Sequence, residues 1–162
     1  MAELKYGCIN GDHKTAVPVS ITDAEAIKMQ SGRFAARNTT TGAMEIADTT
    51  EKLYGWLEFG GDDSSTSGQV ANLIVDVTAI FRIPLIYDAS TYTVNYSEAL
   101  IGETCDLKVS GGVQYAHPEG HSANQIVIVG GKAATGTDIS AADGYLDVML
   151  NPNSMHDLYV GE

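Results

Sequence analysis

The stretch Asn72-Leu73-Ile74-Val75-Asp76-Val77-Thr78-Ala79-Ile80-Phe81-Arg82-Ile83-Pro84-Leu85-Ile86-Tyr87 decides the fold class. Leu73, Val75, Val77, Ala79, Phe81, Ile83, Leu85 and Tyr87 fall on one parity. Asn72, Asp76, Thr78 and Arg82 fall on the other, with Ile74 and Ile80 as exceptions. A period of two turns one set of side chains to a buried face and the other to water, so the stretch reads as one long strand. Pro84 has no N–H to give a sheet and predicts that the strand bends, ends or becomes an edge there.

Strands recur on both sides of it. Toward the C-terminus, residues 105–109, 112–116, 125–129 and 145–150 are short, apolar and β-favouring. Gly111-Gly112 separates the first two, and Gly130-Gly131 follows the third. Short strands punctuated by Gly predict a sandwich or barrel. Residues 88–97 are polar, and 97–100 predict one helical turn. Toward the N-terminus, the Gly- and Ser-rich residues 60–68 predict a surface loop. In residues 53–59, Leu53, Gly55, Leu57 and Phe59 share one parity, and Trp56 shares the other with Tyr54 and Glu58. Trp56 is expected as a core anchor. Residues 33–37 and 43–47 flank Asn38-Thr39-Thr40-Thr41-Gly42, the pattern of a hairpin. Thr22-Asp23-Ala24-Glu25 is a capping box and predicts a short helix over 23–30, stopped at Ser31-Gly32. Asn10-Gly11 is a turn signal, and Val17-Pro18-Val19 favours an extended backbone. The expected fold is mainly β, a compact β-barrel, β-tulip or sandwich. Residues 1–31 are expected to form an extended N-terminal arm with the short helix, and 32–162 the β-rich body.

A chain of 162 residues buries roughly 68–70% of its unfolded surface and needs no disulfide or metal to fold. Formal net charge is −12. Residues 1–52 hold six cations and seven anions, so about −11 falls on residues 53–162. An acidic body repels nucleic acid and anionic membrane, so neither is an expected partner. Cys8 and Cys105 are too few and too far apart for a disulfide scaffold, and two thiols are expected. No secretory signal pattern follows Met1, and no apolar run is long enough to span a bilayer.

Candidate chemistry is sparse. His117-Pro118-Glu119-Gly120-His121 puts three ligand types at i, i+2 and i+4, which share a face in an extended chain. Its Pro and Gly predict a solvated turn instead, and it lacks the helical zinc-hydrolase spacing. Cys8 and His13 offer a thiol and a base with no mark of an orienting group or an oxyanion site. Gly130-Gly131-Lys132 fails as a phosphate loop because Ala133 stands where Ser or Thr is needed. Asp138, Asp143 and Asp147 lack the ligand alternation of a calcium loop, and Asp62-Asp63 reads as a solvated acidic turn. Asn38-Thr39-Thr40 and Asn95-Tyr96-Ser97 match glycosylation sequons. No catalytic, cofactor-binding or metal residue is assigned, and no enzyme activity is expected.

Two stretches carry a resemblance. One is Ala99-Leu100-Ile101-Gly102-Glu103-Thr104-Cys105-Asp106-Leu107-Lys108-Val109 with Gly111-Gly112-Val113-Gln114. The other is Gly144-Tyr145-Leu146-Asp147-Val148-Met149-Leu150-Asn151-Pro152. Together they resemble the head decoration, or cement, proteins of tailed bacteriophages over about residues 73–152. The resemblance implies a β-barrel or β-tulip, often a homotrimer, made in the host bacterial cytoplasm. Such a protein binds the outside of the capsid where major capsid protein subunits meet. An N-terminal arm often adds a strand to the capsid protein, which would make Val17, Val19 and Ile21 the partner-binding residues here. A phage tail-tube or head-completion protein is the alternative, and a β-barrel binding a small ligand or a metal through His117, Glu119 and His121 comes after it.

Overall fold

The computed structural model describes residues 7–10, 16–21, 33–58, 70–139 and 143–155. The helix expected over 23–30 and the loop over 60–68 lie outside them. Eleven described strands form two antiparallel sheets. The first runs, in spatial order, β1 (Gly7–Asn10), β7 (Ile80–Pro84), β11 (Tyr145–Leu150), β10 (Ile126–Lys132), β8 (Thr104–Ser110) and β9 (Val113–His117). The second runs β2 (Ala16–Ser20), β6 (Val70–Ile74), β5 (Gly55–Glu58), β3 (Arg33–Arg37) and β4 (Met44–Ile46). The first sheet curls until β9 meets the chain just after β7, where the Ile86 N–H donates to Ala116 O at 3.0 Å. In the second, Ile21 beyond β2 bridges Met44 of β4. The fold is thus mainly β, as the sequence predicts.

The opening stretch is two strands, not one. β6 and β7 belong to different sheets, and the chain crosses between them at Asp76-Val77-Thr78. The Asp76 carboxylate accepts from the Thr78 N–H at 2.8 Å and the Thr78 hydroxyl at 2.7 Å, a side-chain mimic of a backbone turn. Ile74, an exception to the alternation, marks the crossing. It packs in the core shared by both sheets, while Leu73 packs on the opposite face of β6 with Ile21, Ala35, Met44 and Leu57. The second sheet is therefore apolar on both faces. Pro84 is the last residue of β7, as expected of a strand end.

A second phase change sits at Gly55. Leu53 and Trp56 face the shared core, but Tyr54 and Leu57 face the other cluster. Gly55 makes the change with φ +155° and lies so close to Ile74 O that a Cβ would collide with it.

Three aromatic rings join the sheets. Trp56 of β5 stacks on Phe81 of β7 at 4.9 Å, and Phe34 of β3 meets both edge-on at 4.9 and 5.4 Å. Such pairs add about 0.5–1.5 kcal/mol each beyond the area they bury. Two buried glutamines reinforce the join. Gln114 of β9 accepts from the Phe34 N–H at 3.0 Å and donates to Phe34 O and Ala47 O at 3.1 and 2.8 Å. Gln125 accepts from the Leu107 N–H at 2.7 Å and donates to Asp48 O and Glu51 O.

The described strands of the N-terminal stretch are built into the body. β1 pairs with β7, and β2 pairs with β6 along its whole length from Ala16↔Ile74 to Ser20↔Val70. Burial of Ile21 and partial burial of Val19 hold β2 in place.

Candidate functional site

The residues that look chemical in the sequence serve the backbone. The Glu119 carboxylate accepts from the Thr93 N–H and hydroxyl at 2.8 and 2.9 Å and from the Val94 N–H at 2.8 Å. Burial pushes this carboxyl up, but the bonds from Thr93 and Val94 outweigh it and hold Glu119 below its ordinary value. His121 Nδ1 bonds Thr104 O at 3.0 Å. His117 ends β9, with its ring edge-on to Tyr92 at 5.3 Å. Burial holds the His117 imidazole below its ordinary value, which favours the neutral ring. Among the described residues no three His, Cys, Asp or Glu side chains converge as metal ligands.

The acidic residues act alike. Asp106 is fully buried, and its oxygens accept from the N–H groups of Ser122, Ala123 and Asn124 at 2.7–2.9 Å, which shapes the loop before β10. Asp143 accepts from the Thr135 N–H and hydroxyl, and these bonds bring its carboxyl down to about 2. Asp147 pairs in two-pronged fashion with Arg82 at 2.7 and 2.9 Å, and Arg82 also lies 3.8 Å over the Tyr145 ring. Gly130 and Gly131 lie within β10 rather than in a loop. Both sequon asparagines are engaged, Asn38 with Glu45 and the Thr40 and Thr41 N–H groups, and Asn95 with Ala134. Cys8 and Cys105 are both thiols. Burial and the Asp106 charge push Cys105 up to about 12. His13, Asp62 and Asp63 lie outside the described residues.

What the sequence reading missed is a slot between the two edges of the second sheet. Among the described residues β2 pairs in the sheet only with β6 and β4 only with β3, and the single Ile21–Met44 bridge joins the edges. Beside that bridge opens an apolar cleft of about 270 Å³, lined by Val17, Val19, Met44, Leu73 and Val75. Arg37 and Tyr54 border it and also line a second cleft of about 420 Å³ with Thr39, Glu51 and Lys52. Val17 is exposed and Val19 half-buried beside this cleft, while Ile21 is fully buried and structural. Among the described residues no helix is long and apolar enough to cross a membrane. No family model, curated protein sequence or solved structure matches the chain.

Proposed function

We propose that this chain is a structural virion protein that binds the outside of an assembled phage capsid and stabilises the shell by bridging major capsid protein subunits. One observation carries the reading. The buried Asp106, Gln114, Gln125 and Asn151 side chains bond backbone groups of neighbouring strands and loops, which suits a braced body that works by contact rather than turnover. Support also comes from the stretches that resemble cement proteins, which form β8, β9 and β11 of the first sheet. The protein acts by linkage, since a ligand that binds the mature shell more tightly than the open one stabilises it by the difference. A homotrimer would multiply each modest contact. Val17, exposed on the edge strand β2, supplies the contact, and Val19 and Ile21 hold that strand to the body.

Electron cryomicroscopy of the parent particle tests this. Density for the chain on the outer surface, at junctions between capsid subunits, is the expected result. A shell bare of it at full expression would remove the proposal.

A further inference from the structure

The slot between β2 and β4 points to a second property, one that shares Val17 with the capsid contact proposed above but is read by peptide binding alone. Its two walls are strand edges, each paired on its other side only, among the described residues. Its floor is apolar, and Leu73 there is almost fully buried while Val17 on the wall is 43% exposed. A strand edge offers unpaired N–H and C=O groups, and an extended peptide that adds to it gains main-chain hydrogen bonds and register from alternate side chains.

Charge narrows the occupant. The chain carries −12, yet the border of the slot and the adjoining cleft bring together Arg37 and Lys52. Neither forms an ion pair with a described residue. Glu51 lines the same cleft and accepts from the Asp48 N–H at 2.7 Å, so that lining carries two cations against one anion. Two cations with no ion-pair partner among the described residues, beside an apolar trough, favour an anionic guest and disfavour a cationic one.

We propose that the slot between β2 and β4 receives an extended peptide segment of a partner protein, with apolar side chains at alternate positions toward Leu73 and Val75 and acidic residues at the end nearest Arg37 and Lys52. Selection of a random peptide display library on the full chain tests it. Enrichment of alternating apolar sequences with an acidic end is expected. A peptide so selected should bind Val17→Asp about tenfold more weakly, and the Arg37→Glu, Lys52→Glu double variant should turn the preference toward basic ends. All three positions are at the surface, so the variants should melt as the parent does, which is checked beside binding. No enrichment would overturn the proposal, as would enriched peptides indifferent to Val17→Asp and to the charge reversal. Sedimentation gives the other occupant. A self-associated form that dissociates on Val17→Asp would assign the slot to a second copy and also overturn it.

Discussion

Replacing Gln114 by Leu should cost about 3 kcal/mol. Gln114 is 1% exposed and is the hydrogen-bond partner of three backbone groups on the other sheet. Leu keeps most of the volume but no polar atom. Phe34 O would retain the Ala47 N–H at 2.9 Å, so it stays satisfied. The Phe34 N–H and Ala47 O would lose their bonds to the amide. A buried donor or acceptor left without a partner costs about 1–3 kcal/mol, so the pair costs about 2–6 kcal/mol before relaxation. That is a large part of a total stability of roughly 5–15 kcal/mol. Urea unfolding read by the fluorescence of Trp56, the single tryptophan, measures it. The midpoint should fall with the slope unchanged. Gln114→Glu should cost as much, because it keeps the acceptor for Phe34 but sets a carboxylate against two carbonyl oxygens. A Gln114→Leu change under about 0.5 kcal/mol, the range of surface substitutions, would refute the claim that this amide joins the sheets.

Gly55→Ala should cost about 3 kcal/mol or prevent folding, because its Cβ meets Ile74 O; an unchanged melting temperature would contradict the phase change placed there. Cys105 should resist alkylation at pH 8 until the protein unfolds. Its folded value lies above the unfolded one, so its contribution to stability is complete below about 9 and is lost as pH rises toward about 12; a flat alkaline stability profile in the parent, matching that of Cys105→Ala, would contradict this. On the acid side, His117 is held low, so the unfolded chain takes up its proton first and stability should fall as pH drops below 6.5. Glu119 adds a second loss below 4.5, because its depressed value means stability disappears as pH falls through it. Denaturation of His117→Gln and Glu119→Gln across pH 4–7 should flatten the corresponding segment of the curve.

Local chemistry made part of this fold legible. The hairpin of β3 and β4 follows from Asn38 and Gly42, since the Asn38 side chain accepts from the Thr40 and Thr41 N–H groups and Gly42 takes φ +74°. β8, β9, β10 and β11 follow from Gly punctuation and apolar runs, and Glu98–Leu100 makes the single expected turn. The crossing between β6 and β7 was hidden because its turn carries no Gly or Pro and leaves the hydrophobic rhythm almost intact. Only Ile74 marks it in the sequence, since a strand apolar on both faces looks like a lapse in alternation. The slot was not legible at all. Val17, Arg37, Met44, Tyr54 and Leu73 come from five strands or strand ends, and only the curl of the second sheet brings them together. The sequence reads Val17 and Val19 as an arm because extension is local, but pairing with β6 is not.

The proposed function is that the chain stabilises a shell by binding it. Heating purified capsids with and without the protein, and following shell opening by dye access to the packaged genome, measures this directly. Opening should shift to higher temperature as the concentration of the chain rises, and the shift should saturate when the shell sites fill. Opening at the same temperature at every concentration, with the chain left in the supernatant, would contradict it.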